Sequence, residues 1–231
     1  MGCLPRARFD SDLRRACAFG AGVLIGVDEA GRGPLAGPVV AAAVRLGARG
    51  LSGLSEVRDS KRLTRAQRNA GLEAVLKAAS AVSVGWSTPA EIDRDNILAA
   101  TLAAMRRAAR RAAAGCDPSR VLVVVDGNRT IPGLGLRQVA IPEADDLSLS
   151  VASASLVAKV TRDAWMERLD RRYPGYGLAE HKGYGTARHL ESLRVLGPCL
   201  AHRRSFSPVS QLSLPLLEFL GAGATAARPS A

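Results

Sequence analysis

Lysine is nearly absent from this chain. Of 32 basic residues among 231, only Lys61, Lys77, Lys159 and Lys182 are lysines, and the rest are arginines. Cysteine is scarce and scattered: Cys3, Cys17, Cys116 and Cys199 show no C-x-x-C or Cys/His spacing, which argues against a zinc site or a disulfide framework. No apolar run reaches the ~18–20 residues of a membrane span. The stretch MGCLPRARFDSDLRRAC has no apolar signal core, and Gly2 lacks the downstream Ser or Thr of a myristoylation signal. A soluble, cytoplasmic protein is the expectation. The three histidines fall late in the chain and no G-x-S-x-G elbow occurs, so serine-nucleophile chemistry is not indicated. GRGPLAG lacks the Gly-Lys-Ser/Thr ending of a P-loop.

What is present is positive charge. The balance of 32 basic against 21 acidic residues leaves a net charge of +11. Arginine suits bidentate phosphate contacts, so a polyanionic partner is indicated; an Ala/Arg/Gly-rich proteome is the bland alternative. The length allows one large domain, or one domain with an appendage.

The pattern of elements points to an α/β domain with a mixed sheet. GVLIGVDE (22–29) reads as a buried strand that ends in acid, and GPVVAAAVRL as a second strand after a Gly/Pro turn. Asp59-Ser60-Lys61 sits in a polar loop. Thr64 and Gln67 form a capping box that opens a helix to about Ala79. AVSVGWS is a third strand, and Thr88-Pro89 starts one helix running to Gly115. VLVVVDGN, apolar throughout until Asp126, suits a strand buried on both faces. LRQVAIPEAD is a weaker strand ending near Asp145. Ser148 to Arg172 reads as a long helix whose first turns are small enough to lie close to a neighbour. Four parts are expected: a segment 1–21, an α/β domain 22–172, a Gly/Tyr/His/Arg-rich extension 173–210, and a flexible tail 211–231.

Asp28, Glu29, Asp126 and Asp145 each fall at a strand end or helix start. Singly, such acids cap turns or face water. Together, at the ends of parallel central strands, they fall where open α/β sheets place their sites. Clustered carboxylates repel one another unless a cation lies among them. Oxygen donors without His or Cys select Mg²⁺ or Mn²⁺, and two such ions can clamp a phosphodiester. Gly31-Arg32-Gly33 adds a place where backbone groups approach a sugar while Arg32 holds a phosphate, or else a plain turn with an exposed arginine.

GVDEAGRGPLAGPVVAAAV, DSKRLT, VDGN, SLVAKVTRD, YPGYGLAEHKGYGT and HRRSFSPV, in this order from about Leu24 to Val209, resemble the type 2 ribonuclease H family, ribonuclease HII. The resemblance implies a ribonuclease H-like mixed β-sheet flanked by helices, with a C-terminal helical extension. It implies cleavage of RNA in RNA–DNA hybrids, and nicking of duplex DNA 5′ of a single embedded ribonucleotide, with Mg²⁺ or Mn²⁺. Residue by residue, it makes Asp28, Glu29, Asp126 and Asp145 the metal-holding catalytic acids. The family usually shows Gly-Asp where this chain has Ala144-Asp145-Asp146, so Asp146 is the alternative fourth acid. Ser153 stands where the family usually has Ala. Gly31, Arg32 and Gly33 would read the ribose–deoxyribose junction, and Tyr184 would pack on the sugar beyond it. Lys61 and Lys182 are expected at phosphates, with His202, Arg203 and Arg204 as a further basic contact; His181 and His189 are expected to be structural or at the surface. Gln211–Leu217, within QLSLPLLEF, resembles the short peptides that bind sliding clamps, with packing back onto the domain as its alternative. A monomer is the default. Another ribonuclease H-fold nuclease such as a resolvase, or a non-catalytic nucleic-acid-binding protein, are the competing readings.

Overall fold

The computed structural model describes residues 5–16, 22–47, 51–54 and 63–212. Its order is α1 (Pro5–Ala16), β1 (Val23–Ala30), β2 (Val39–Leu46), α2 (Arg65–Ala78), β3 (Ala79–Ser87), α3 (Pro89–Asp95), α4 (Ile97–Ala112), β4 (Val121–Asp126), β5 (Arg137–Ile141), α5 (Ala144–Leu147), α6 (Leu149–Arg172), α7 (Leu178–His181), α8 (Ala187–Leu196) and α9 (Val209–Leu212). The described strands form one mixed sheet in the order β3-β2-β1-β4-β5. β1 is parallel to β4, and β4 to β5; β2 runs antiparallel to both β1 and β3. This is the expected ribonuclease H-like architecture, with α7, α8 and α9 as its C-terminal helices. Among the described residues, no helix is long and apolar enough to cross a membrane.

The sheet is apolar on both faces because both are covered. Side chains alternate along a strand. Ile25, Val27, Ala41, Ala43, Val121, Val123 and Val125 pack against α4 through Ala104, Met105, Ala108 and Ala112. On the other face Ala42, Val44 and Leu46 meet α2 and α6. The small first turns of α6 do lie close to a neighbour: a Cβ on Gly26 of β1 would stand 2.2 Å from the backbone carbon of Ser150. Only a glycine lets strand and helix approach this far.

Three local features shape the chain. The expected capping box at Thr64–Gln67 is formed, and the structure adds a second at Thr88–Glu91. The single helix expected after Pro89 is instead two. Asn96 takes a φ of 69°, and its side chain accepts bonds from the Leu98 and Ala99 amides at 3.0 Å each, opening α4 as a new helix. Asparagine tolerates the left-handed region and caps well, so it can break a helix that the surrounding apolar periodicity would continue. α1 is an element the sequence reading did not contain. Its buried Asp10 accepts from the Ser150 amide (3.0 Å) and hydroxyl (2.8 Å). That amide belongs to the first turn of α6, which has no intrahelical acceptor, and a carboxylate is favoured at a helix N-terminus.

Residues beyond α6 fold back onto the β1–β2 connection. Tyr176, Leu178, Leu193, Ala201 and Val209 bury Leu35, Ala36 and Met166. Backbone bonds tie the layers: Leu35 N–H to the Gly183 carbonyl, Gly37 N–H to that of Ala201, and Arg203 N–H to that of Leu35, each 2.8 Å.

Candidate active site

The parallel register pairs Val27 with Val125, so the next residues, Asp28 and Asp126, leave the sheet side by side. Asp28 faces α6, where Ser155 bonds its carboxylate. Glu29, one residue on, faces the opposite side, beside Leu98, Thr101 and Met105 of α4. Alternation at a strand end thus spreads two adjacent carboxylates around the sheet edge. The Asp126 carboxylate accepts from the Ala144 amide at 2.7 Å. It thereby caps α5, whose preceding Glu143 is left-handed and gives no side-chain cap. That bond carries Asp145 to the same edge.

All four acids line one cavity of about 370 Å³. Asp146 does not: its carboxylate pairs with Arg6 at 3.0 Å on the outer side of α5. Burial pushes the Asp28 carboxyl well above the ordinary carboxylate range, and the charges of Glu29 and Asp126 push it further. Glu29 is raised by burial and by Asp126, with Arg32, 3.4 Å away, opposing. Like charges held together at a partly dry edge are what a cation would relieve. The donors are all oxygens, which suits Mg²⁺ or Mn²⁺ over softer ions. Among the described residues, no three His, Cys, Asp or Glu side chains close onto one ion-sized point. The fit is therefore one of donor type, charge and shared cavity.

The rim carries the loop and the aromatic named from the sequence. Gly31, Arg32, Gly33 and Tyr184 line the cavity, and a Cβ on Gly33 would lie 3.8 Å from the Tyr184 ring. Gly31 has a φ of 95° and backs onto Arg162, whose Nε lies 1.9 Å from where a Cβ would stand, so no other residue fits there. Tyr184 is half exposed. Lys182 is not brought to the cavity: its ammonium pairs with Glu167 at 3.2 Å, in a neighbouring groove with Arg65 and Arg68. Lys61 lies outside the described residues. His202 and Arg203, expected at the surface as basic contacts, are buried, and of that trio only Arg204 is exposed. His202 bonds the Cys199 amide (3.1 Å) and approaches the His189 ring nitrogen (3.1 Å). His189 is buried and stacks on His181 at 4.4 Å, in keeping with structural roles.

Sequence reasoning missed Ser155, Lys159, Arg162 and Glu143, which also line the cavity. The first three recur at helical spacing on one face of α6.

The family model described as Ribonuclease HII matches residues 25–209. The chain belongs to the ribonuclease HII family. It is accordingly an endoribonuclease of the ribonuclease H kind. The ribonuclease HII of Delftia acidovorans is 50% identical over 191 residues, covering 83% of this chain and 78% of that protein. The ribonuclease HII of Archaeoglobus fulgidus, solved in complex with PCNA, superposes with a TM-score of 0.65 at 26% identity, over 80% of this chain and 95% of that one. Bst-RNase HIII in complex with Mn²⁺ shares the fold, with a TM-score of 0.69 at 20% identity over 90% of this chain and 73% of that one. These matches join the acid edge to a family without assigning a role to any residue.

Proposed function

We propose that this chain hydrolyses the RNA strand of RNA–DNA hybrids and nicks duplex DNA 5′ of a single embedded ribonucleotide, leaving 3′-hydroxyl and 5′-phosphate ends. The observation that most supports this is the shared cavity, where four carboxylates from three elements meet a Gly-Arg-Gly loop and an exposed tyrosine. Asp28, Glu29, Asp126 and Asp145 hold two divalent cations, Mg²⁺ or Mn²⁺; the Mn²⁺ complex of the ribonuclease HIII with this fold supports that choice. When bound, such ions supply an activated water and charge neutralisation at a phosphodiester. Asp126 serves twice, because its bond to Ala144 also positions Asp145.

Binding falls to the rim. Arg32, half exposed and leaning on Glu29, takes a phosphate, while Gly31 and Gly33 let the backbone approach the ribose. Tyr184 stacks on the adjoining sugar, and its hydroxyl marks a polar partner there. Lys61 and Lys182 contact phosphates further along the duplex; Lys182 lies beside Arg65 and Arg68, a setting suited to flanking rather than scissile phosphates. The net charge of +11 draws the duplex in. A cytoplasmic place in ribonucleotide removal during replication or repair follows from that substrate. Gln211–Leu217 binds a sliding clamp, as the Archaeoglobus fulgidus relative solved with PCNA suggests. Gln211 is exposed and Leu212 packs on the C-terminal cluster, while 213–217 lie outside the described residues. Deleting 211–217 should abolish clamp affinity, and undiminished binding would remove this part of the reading.

The test of the activity uses end-labelled duplex DNA carrying one ribonucleotide, beside an all-DNA control, with Mg²⁺ or Mn²⁺. One metal-dependent nick on the 5′ side of the ribonucleotide is expected. Equal cutting of the control would favour a resolvase-like nuclease. Binding without cutting at any metal level would favour a non-catalytic binding protein.

A further inference from the structure

Two fully buried arginines stand behind the cavity rim, and neither has an ion-pair partner among the described residues. Arg203 donates to three carbonyl oxygens, those of Gly31 (2.6 Å), Arg32 (2.8 Å) and Gly37 (3.0 Å). Arg162 donates to those of Ala36 (3.2 Å), Pro38 (3.2 Å) and Lys182 (3.0 Å). Together they fasten the β1–β2 connection from behind and join it to the segment that leads to Tyr184. Burial, helped by the neighbouring Arg162 charge, pulls the Arg203 pKa down to about 9. A desolvated cation without a counter-ion is costly, so the position needs a reason.

Peptide geometry supplies one. In a trans peptide the C=O and the following N–H lie in one plane and point opposite ways. Pinning the Gly31 carbonyl onto Arg203 turns the Arg32 N–H away from Arg203, and pinning the Arg32 carbonyl does the same for the Gly33 N–H. Neither amide has an acceptor among the described residues, and both residues line the cavity. We infer that Arg203 is a positioning residue for ribonucleotide recognition: its guanidinium fixes two consecutive peptide planes so that the Arg32 and Gly33 amides face the substrate sugar and phosphate. This rests on the reading of Gly31–Gly33 as the ribose-sensing loop. Only arginine meets the geometry, because its planar fork spreads donors over carbonyls six residues apart, whereas a lysine ammonium concentrates them at one point.

The test compares binding of the full chain to duplex DNA with one ribonucleotide and to the same all-DNA duplex, in EDTA so that nothing is cut. Arg203→Lys keeps the charge and loses the fork. The expected result is a fall of about tenfold in the ratio of the two affinities, about one hydrogen bond's worth. Affinity for the all-DNA duplex and Mn²⁺ binding followed by its EPR signal should stay near wild type, while the melting temperature falls with the lost carbonyl bonds. A folded Arg203→Lys protein with the wild-type ratio would overturn the inference, as would a parallel fall in affinity for both duplexes. Should that variant not fold, Phe206→Leu decides, since the Phe206 ring lies 5.0 Å from the guanidinium and steadies it. A smaller ratio supports the inference, and an unchanged one overturns it. A wild-type ratio near one would refute the ribose-sensing reading itself, and the inference with it.

Discussion

The acid edge of the sheet and the block that follows α6 both bury ionisable groups, but in opposite ways. At the edge, Asp28 is buried and Glu29 half-buried around Asp126, and desolvation and repulsion drive their carboxyls upward. In the later block, His202 is pushed down to about 4 by burial and by His189, yet its ring meets Cys199 and His189. Arg203 is equally dry and has three carbonyls. One region holds like charges whose repulsion is only partly offset, by Arg32 at Glu29 and Ser155 at Asp28, beside a cavity; the other satisfies its groups internally. The lesson is that burial of a titratable group does not mark a site. Burial of like charges that only an added partner can relieve does.

The comparison can be broken at several points. The largest effect is expected for Asp126→Asn. The amide oxygen can still cap Ala144, so the fold should hold, while metal-dependent cleavage of a single-ribonucleotide duplex falls by roughly a thousandfold or more. Near-wild-type cleavage rates would remove Asp126 from the chemistry. Next comes the histidine block. The folded pKa of His202 lies below its unfolded value, so the unfolded chain binds the extra proton as pH falls from about 6.5 to about 4. Stability should be intact above that window and decline through it, by up to about 3 kcal/mol. Urea titrations across this range should show the slope flattened in His202→Gln; an unchanged slope would assign the acid lability elsewhere.

α1 gives smaller tests. Asp10→Ala leaves the Ser150 amide at the start of α6 without its acceptor, and should cost about 1–3 kcal/mol by chemical denaturation. Arg6→Ala removes a pair whose Asp146 partner is largely exposed, and should cost less than about 1 kcal/mol. A reversal of that order would mean that α1 is held by its surface pair and not by the buried cap.

The acids at the strand ends were legible because the signal is local: an apolar run that stops at Asp28 or Asp126 places those residues at a sheet edge. The Thr64–Gln67 capping box and the close-packed start of α6 were legible for the same reason. What was hidden depended on contacts far apart in sequence. The sequence kept Asp146 as the alternative to Asp145, and what sends it outward is Arg6, 140 residues away. Arg203 looked like a phosphate contact because its destination, the Gly31 carbonyl 172 residues earlier, is set by tertiary packing. The place of Lys182, paired with Glu167 on α6 and away from the acids, was hidden for a similar reason. The break at Asn96 was hidden differently: the residue is a strong cap, but the periodicity around it reads through.

On the proposed function, the acid edge is destabilised until a cation occupies it. A raised carboxyl pKa in the folded chain means that folding costs stability as pH climbs through that range, and the cost persists at neutral pH. The most direct measurement is thermal melting of the wild type and Asp28→Asn at neutral pH, in EDTA and with Mg²⁺ or Mn²⁺. The variant should melt higher than the wild type in EDTA and gain little from the metal, while the wild type gains clearly. A variant that melts lower in EDTA and is stabilised by metal as strongly as the wild type would contradict it.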